Sequence, residues 1–442
     1  MNRNPSWGLV TGLVASIGTA ILLIIAGCDG GNGTYHPYHH HAPPPPPPPA
    51  ACSGQGLIAI DPVSNMAYAP LHSLDMSDNA QIAVIDLATV TNMTPTILTV
   101  SLPGATNTLA SAYNPNNHSV LVEALLGAGG VGVYEINTST NTVVGGAAVA
   151  ATGLGADVTR GGILIDSKKN RAYVAGSSQL GILDTSTSPP TWNAASVIDI
   201  VSPDSLALNI KTHLIFITAD GENEIVDASG ASLGTPQDFD SSFGITDGVA
   251  FDVTTNIMIL SQEVGADQIH AFNFATLDTS MSPATADNVT VPGIPSEIPP
   301  VGEGPGGMAV INCNTHIGIV ADEGYFGDVG INIKAIHLPT NGVPGALNNN
   351  GQPGSMTVAD AASVYTIATA ALPLDGDTLI GMDGDPNSAT IDPAHNYFYA
   401  LGNQATYLIR VDVSNPVFGA SPTGGADSMT FWNPPTVYVP LP

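Results

Sequence analysis

The sequence has few charged residues, and very few of them are basic. Lysine and arginine together number 8 in a chain of 442 residues, against 37 aspartates and glutamates, and the formal net charge is −29. Proteins bind nucleic acid by neutralising phosphates with Lys and Arg, so this balance excludes nucleic acid as a partner. A cation, a basic protein or a glycan remains as the candidate partner of such an acidic surface.

Cysteine is also scarce. The three cysteines, Cys28, Cys52 and Cys313, are too few to form a disulfide scaffold. Cys52 precedes the first predicted strand, and we place Cys313 in a turn on the opposite face of the fold. Because a disulfide needs the two Cα atoms within about 7 Å, we expect Cys52 and Cys313 to be free thiols.

Recognised catalytic motifs are missing from the sequence. It contains no Cys-x-x-Cys-His haem motif, no His-Glu-x-x-His zinc motif and no Gly-rich phosphate loop that ends in Lys. The stretch 230–234 reads Gly-Ala-Ser-Leu-Gly, which matches the nucleophile-elbow pattern. That elbow requires a strand-to-helix turn, whereas this match follows a predicted strand in an all-β region, so we predict a turn there.

The N-terminus carries the sharpest local signal. Residues 7–27 form an apolar run without a charge, and the run ends in Ile25-Ala26-Gly27-Cys28. This tetrapeptide resembles the lipobox of bacterial lipoproteins, and the resemblance implies cleavage after Gly27 and acylation of Cys28. Two or three acyl chains anchor a protein firmly, whereas one chain does so only marginally. We therefore predict a signal peptide over 1–27 and a lipid-anchored protein of the cell envelope, on a periplasmic or surface face.

Two features accompany this prediction. The alternative to cleavage is an uncleaved transmembrane anchor, since 21 apolar residues are long enough to span a bilayer. The following residues 28–55 read as a tether, with Gly-rich sequence, four histidines within 36–41 and seven prolines over 43–49. Prolines favour the extended polyproline II form, at about 3.1 Å per residue. A flexible histidine tract lacks the fixed geometry of a specific metal site.

An internal repeat determines the predicted fold. Seven five-residue segments have Asp or Asn first and Asn or His fifth, and an apolar stretch lies on either side of the segments. The segments are 61–65, 114–118, 166–170, 209–213, 252–256, 312–316 and 392–396. Asp and Asn side chains close Asx turns by bonding the backbone two residues onward, so each segment predicts the turn of a β-hairpin.

A third apolar stretch follows each hairpin and ends in a polar residue at a corresponding place. These residues are Asp86, Glu135, Asp184, Asp227, Asn273, His337 and Asp412. The repeats predict an all-β domain over 56–442, a monomeric seven-bladed β-propeller of four-stranded antiparallel blades. Residues 436–440 are the candidate for the outer strand of the last blade.

Two pairs of segments carry a family resemblance. Residues 171–174 with 181–187, and 67–69 with 82–86, resemble YVTN-type β-propeller repeats, and the resemblance extends over about 57–415. It implies the propeller fold. It does not choose an activity, since similar propellers include lactonases, haem-containing nitrite reductases, quinoprotein-like enzymes and surface proteins with no assigned reaction.

The propeller layout indicates where a site would lie. The loops that enter each innermost strand surround one mouth of the central channel, and they carry Asp204, Asp247, Glu303 and Asp385. We take Asp204, Asp247 and Asp385 as candidate metal ligands, and calcium as the candidate cofactor because it accepts six to eight oxygen ligands in flexible loops. The Asp-Gly-Asp stretches 375–377 and 383–385 are also ordinary turn sequences, so solvated turns are the alternative.

Two functional classes follow from these observations. The first is a non-catalytic surface module that binds a protein, a glycan or a cation through the acidic loop face. The second is a lactonase-like hydrolase in which the three aspartates hold a divalent ion that polarises a carbonyl group.

Overall fold

The computed structural model describes a large part of the chain, and every described residue belongs to one compact unit, Pro48–Pro442. The described ranges are 58–71, 80–90, 95–127, 129–155, 162–219, 222–239, 246–262, 269–290, 309–321, 332–338, 364–368, 389–401, 407–414 and 436–441. The predictions for Cys28, Cys52, Glu303 and Asp385 lie outside these ranges.

These residues form seven antiparallel sheets, and each sheet takes its strands from one continuous stretch of the chain. Blade 1 contains β1 (Ala59–Asp61), β2 (Met66–Leu71), β3 (Gln81–Asp86) and β4 (Ile97–Ser101). Blade 2 contains β5 (Ala105–Asn114), β6 (Ser119–Leu126), β7 (Gly130–Asn137), β8 (Thr142–Val143) and β9 (Val149–Ala150). Blade 3 contains β10 (Gly162–Asp166), β11 (Arg171–Ala175), β12 (Gln179–Asp184) and β13 (Thr191–Asp199).

The other four blades have the same order. Blade 4 contains β14 (Ser205–Asn209), β15 (Leu214–Thr218), β16 (Glu224–Asp227) and β17 (Gln237–Asp238). Blade 5 contains β18 (Thr246–Asp252), β19 (Ile257–Gln262), β20 (Ile269–Asp278) and β21 (Thr285–Thr290). Blade 6 contains β22 (Ala309–Asn312), β23 (Ile317–Ala321), β24 (Asn332–His337) and β25 (Val364–Ala368). Blade 7 contains β26 (Ala389–Asp392), β27 (Tyr397–Leu401), β28 (Tyr407–Asp412) and β29 (Thr436–Pro440), as the sequence predicted.

Helical structure is confined to two 3₁₀ turns within the described ranges, Leu87–Thr89 and Val144–Gly146. The second turn divides the outer strand of blade 2 into β8 and β9, and both pieces pair with β7. Gly145 and Gly146 there have φ values of 72° and 71°, which glycine adopts without steric cost. In the described part of the chain, no helix is long and apolar enough to cross a membrane.

The seven blades close into a ring. Each innermost strand packs against the innermost strand of the next blade, and β26 of blade 7 packs against β1 of blade 1. Buried apolar side chains fill the spaces between adjacent blades, for example Ile85 of blade 1 and Tyr399 of blade 7. No described strand crosses between blades 7 and 1, so side-chain packing holds this seam in the described residues. The predicted seven-bladed β-propeller is thus confirmed.

The seven hairpin turns have the predicted Asx geometry. In every turn the side-chain oxygen of the first residue accepts the backbone N–H of the third, at 2.8 to 3.2 Å. Every fifth residue has a left-handed backbone, with φ between 51° and 65°. Asn and His are enriched among the non-glycine residues that tolerate this region, which explains the repeated residue choice. The residues concerned are Asn65, His118, Asn170, His213, Asn256, His316 and Asn396.

The polar residue at the end of the third strand also has the predicted position in six blades. In those blades it pairs across the sheet with the first residue of the second strand, as Asp184 does with Arg171. Blade 2 differs from the prediction, because Asn137 and not Glu135 pairs with Ser119. Glu135 lies two residues earlier, where its side chain is 2% exposed.

The same turns connect neighbouring blades in a way that the sequence analysis did not predict. Asp166 of blade 3 contacts His213 Nδ1 of blade 4 at 2.5 Å, and Asp252 of blade 5 contacts His316 Nδ1 of blade 6 at 2.6 Å. In two of the turns whose first residue is Asn, its amide donates to an Asn of the next blade: Asn209 donates to Asn256 at 3.2 Å, and Asn312 donates to Asn396 at 2.7 Å. At these four junctions, Asp matches His and Asn matches Asn.

A swap of one such pair tests this matching rule. Asp166→Asn alone is expected to cost about 1–2 kcal/mol of stability, because it removes a hydrogen bond from a charged acceptor that is fully buried. The double variant Asp166→Asn/His213→Asn recreates the Asn–Asn pair of the next junction and is expected to recover most of that loss. Urea midpoints of the single and double variants measure the effect, with Asp184→Asn on an exposed turn as the control. Additive losses in the double variant would contradict the rule.

Candidate functional site

The strand directions define two faces of the propeller. The hairpin face carries the seven Asx turns and the loops between third and fourth strands. The mouth face carries the loops that enter the innermost strands and the loops between second and third strands. The aspartates predicted as metal ligands belong to the mouth face.

The structure places two of those three aspartates on neighbouring blades. Asp204 lies directly before β14 of blade 4, is 2% exposed, and its backbone N–H donates to Thr218 at 2.8 Å. Asp247 lies near the start of β18 of blade 5, where the pairing register shifts between Thr246 and Val249. Among the side chains that the structure describes, no group of three or more His, Cys, Asp and Glu residues has metal-binding geometry. The side chains of Asp247 and Asp385 are not among them.

The mouth face of blade 4 carries an acidic group that the sequence analysis missed in part. Glu224 pairs across the sheet with Asp238, and the exposed Glu222 lies two residues before it. Burial raises the pKa of the Glu224 carboxyl, and the charges of Asp238 and Glu222 raise it further, while the N–H of Val201 lowers it by donating to Oε2 at 2.9 Å. Because negative charges repel the Glu224 carboxylate, binding a proton or a cation lowers its free energy.

Hydrogen bonds fix the mouth loops to polar side chains of the same blade or of the preceding blade. The amide of Gly155, before blade 3, donates to Gln179 Oε1 at 2.8 Å, in the same way as Val201 donates to Glu224. At blade 5, the hydroxyl of Thr246 donates to Asn223 Oδ1 at 2.6 Å. Polar side chains at the starts of the third strands therefore hold the loops that enter the innermost strands, and they make the rim a preformed surface.

Glu123 of β6 is a second carboxyl that the sequence analysis missed. It is 0% exposed, and neither carboxyl oxygen has a hydrogen-bond partner of normal geometry in the described structure. Strand alternation puts it on the same side of β6 as Leu121 and Leu125, which pack between blades 2 and 3. Burial raises its pKa well above 4.5, and the nearby backbone N–H of Gly162 lowers it only in part.

The repeat shows how unusual Glu123 is. It stands nine residues after the first turn residue, and the same place in other blades is held by residues that are apolar or carry only a hydroxyl. Those residues are Pro70, Ala175, Thr218, Ser261, Ala321 and Leu401. The hydroxyls of Thr218 and Ser261 find backbone partners within their own blades, at Ser205 and Gly248. The sequence signal that could have identified Glu123 is its charge, because this repeat position is uncharged in the other six blades.

Two other sequence predictions have clear outcomes. Ser232 lies in the exposed loop between β16 and β17, so the 230–234 match is a turn and not a nucleophile elbow, as predicted. The prediction of a free thiol at Cys313 is wrong, because Cys313 is disulfide-bonded. It is the second residue of the blade 6 turn, on the hairpin face.

Comparison with known proteins supports the fold and leaves the activity open. No protein-family model matches the chain, and no curated protein sequence matches it. A functionally unknown protein from Desulfotomaculum acetoxidans has a similar structure, with a TM-score of 0.52 and 15% identity over 84% of this chain and 98% of that one. A proposed 6-phosphogluconolactonase from Bacteroides uniformis has a TM-score of 0.50 and 10% identity, over 85% of this chain and 100% of that one. Identities this low show a shared fold alone.

Proposed function

We propose that this protein is an exported, lipid-anchored β-propeller with YVTN-type repeats, and that it binds a cationic ligand or a basic partner through its mouth face. The lipobox-like sequence before Cys28 and the proline-rich stretch after it support anchoring to a membrane of the cell envelope. The observation that carries the binding role is the acidic group of blade 4, where Glu224 pairs across the sheet with Asp238 and the exposed Glu222 lies two residues before it. Burial raises the pKa of Glu224, and the charges of Asp238 and Glu222 raise it further.

The proposed binding follows from elementary electrostatics. Carboxylates that repel one another on a partly dry surface lower their free energy when a cation approaches. The rim loops are held in place by the backbone bonds to Gln179 and Glu224, so little ordering would be needed on binding. Calcium is the simplest candidate, with Asp204, Asp247 and Asp385 as ligands from three blades.

Calorimetric titration of residues 48–442 with calcium and with zinc tests this proposal. This fragment omits the histidine tract and retains all seven blades. We expect a saturable calcium site whose affinity falls at least tenfold in Asp204→Asn, Asp247→Asn or Asp385→Asn. Asp227→Asn is the matched control, because it removes one charge from an exposed turn of the hairpin face.

Either result distinguishes the functional classes. Loss of calcium binding in two or more of the Asp204, Asp247 and Asp385 variants would support a preformed ion site. Hydrolysis of a lactone by the calcium-bound protein would then favour the lactonase-like alternative. Equal calcium binding by all variants, or none, would remove the metal role from these aspartates. The mouth would then be a surface for a basic protein or a glycan.

A further inference from the structure

Arg410 of β28 is a buried cation in a chain that has only 8 basic residues. Its side chain is 7% exposed, although arginine is almost never buried to this degree unless it is paired. Arg410 lies directly opposite Tyr399 of β27, so both side chains are on the face of blade 7 that packs against blade 1. Arg410 is therefore at the seam where the ring closes.

The contacts of Arg410 leave its charge without a counter-charge in the described part of the chain. Nε is buried and has no hydrogen-bond partner there, and the guanidinium lies over the ring of Tyr397, 4.4 Å from the ring centroid. The ring attracts a cation but offers no oxygen acceptor to the N–H groups. Arg410 forms no ion pair with a described carboxylate. A buried cation in this state costs free energy, and an anion beside it lowers that cost.

Tyr399 brings a second unpartnered group to the same place. The residue is 0% exposed, and its hydroxyl has no hydrogen-bond partner among the described residues. Burial raises the pKa of Tyr399, and the charge of Asp392 raises it further, while the charge of Arg410 opposes this rise. The hydroxyl therefore keeps its proton and can donate it to an acceptor beside the guanidinium.

Asp392 is not that acceptor, because the turn of blade 7 engages both of its side-chain oxygens. Oδ1 accepts the backbone N–H groups of Ala394 at 2.9 Å and His395 at 3.3 Å. Oδ2 contacts His395 Nδ1 at 2.6 Å. The buried donors of Arg410 and Tyr399 are thus left for an acceptor from elsewhere.

The position of Tyr399 is satisfied within the protein in two other blades. Tyr68 and Tyr173 also stand seven residues after the first turn residue of their blades. The hydroxyl of Tyr68 donates to Asn141 of blade 2 at 2.7 Å, and that of Tyr173 contacts Asp166 at 3.5 Å. Tyr399 has neither kind of partner, so its hydroxyl is an exception to the repeat.

The position of Arg410 is exceptional in the same way. It stands two residues before the end of the third strand, where blade 2 has Glu135, which accepts from Asn117 and from Ser188 of blade 3. The remaining five blades have apolar residues there, namely Val84, Ile182, Ile225, Ala271 and Ala335. The two charged positions differ in that only Glu135 has hydrogen-bond partners from the described chain.

We propose that the seam between blades 7 and 1 binds a small anion such as chloride, held by the guanidinium of Arg410 and the hydroxyl of Tyr399. Both groups donate, which suits an anion, and their burial favours one that is small. The anion binds only where blades 7 and 1 are packed together. It therefore stabilises the closed ring as its concentration rises.

Chloride titration of the full-length protein tests the site. Gluconate, which is too large for a site this buried, holds the ionic strength constant, and the titration is run at pH 8, where the histidine tract is uncharged. The 35Cl NMR line width reports bound chloride, and the thermal midpoint reports its effect on stability. We expect saturable line broadening and a midpoint that rises with chloride. Both responses should fall at least threefold in Arg410→Gln and in Tyr399→Phe.

Two matched variants serve as controls. Lys211→Gln removes an exposed positive charge from the turn of blade 4. Tyr173→Phe removes the hydroxyl at the repeat position of Tyr399 in blade 3. Both variants should keep the chloride response of the wild type, because neither touches the seam.

The remaining outcomes overturn the proposal. A wild-type protein that does not respond to chloride would leave a neutral occupant such as water, and a response retained in Tyr399→Phe would place chloride elsewhere. If Arg410→Gln does not fold, Tyr399→Phe decides the question, because it keeps the ring and every charge. Asp427 is the one acid in the sequence between β28 and β29. Chloride binding that appears only in Asp427→Asn would show that a carboxylate of the chain itself neutralises Arg410.

Discussion

Cys313→Ser in residues 48–442 is expected to lower the free energy of unfolding by about 2–4 kcal/mol. We expect Cys52, the one other cysteine of this fragment, to be the partner of Cys313, and that link would close a loop of more than half of the chain. A long loop gains the most from closure, because the link removes conformations from the unfolded state. Urea midpoints of the oxidised proteins measure the loss.

The matching variant is an internal control. Cys52→Ser should lose as much stability as Cys313→Ser, and the double variant should lose no more than either one. A reducing agent should destabilise the native fragment and leave both variants unchanged. A fully stable Cys52→Ser beside a weakened Cys313→Ser would show that the effect comes from the local turn and not from the disulfide.

The repeated hairpin could be predicted because its cause is local. An Asx turn needs a side-chain oxygen at its first residue and a left-handed residue at its fifth, and both demands are visible as residue types in the sequence. Seven such turns, followed by apolar third strands, were enough for the propeller. Blade 2 was misaligned by two residues because Glu135 and Asn137 are both polar, and only strand pairing distinguishes them.

Contacts between blades could not be predicted in the same way. His213 and Asp166 are 47 residues apart and His316 and Asp252 are 64 apart, so their contacts depend on ring geometry. The disulfide of Cys313 was missed for a related reason, since the distance in space between two cysteines cannot be judged from their positions in the chain. For the candidate metal ligands, the sequence predicted correctly that Asp204 lies on the mouth face. Whether the three aspartate side chains approach one another depends on the loop conformations, which the sequence pattern does not specify.

Glu123→Gln is expected to stabilise the protein at neutral pH by about 1–3 kcal/mol. The native carboxyl is fully buried without a hydrogen-bond partner of normal geometry in the described residues, and an ionised group in such a place carries a large desolvation cost. Gln has nearly the same shape and never ionises. Glu123→Leu should stabilise as well, since it also removes the polar atoms. Urea midpoints at pH 7 measure both effects.

The neighbouring Glu135 provides a matched control. It lies in the same blade and is also buried, but Asn117 and Ser188 each donate to one of its oxygens at 2.7 Å. Glu135→Gln replaces one acceptor with a donor and is expected to destabilise by about 1–2 kcal/mol. Opposite signs at two buried glutamates of one blade would tie the effect to hydrogen-bond satisfaction. Stabilisation by both variants would point instead to relief of the overall negative charge.

The sign of the pH dependence follows from the raised pKa of Glu123. Below the unfolded value of about 4.5 both states are protonated, and Glu123 carries no ionisation penalty. As the pH rises above that value, the unfolded chain releases a proton that the folded protein keeps, so native stability falls by about 1.4 kcal/mol per pH unit until the folded pKa is passed. Glu123→Gln should therefore gain its advantage only as the pH rises. An advantage that is constant from pH 4 to pH 8 would mean that packing, and not the buried charge, distinguishes the two proteins.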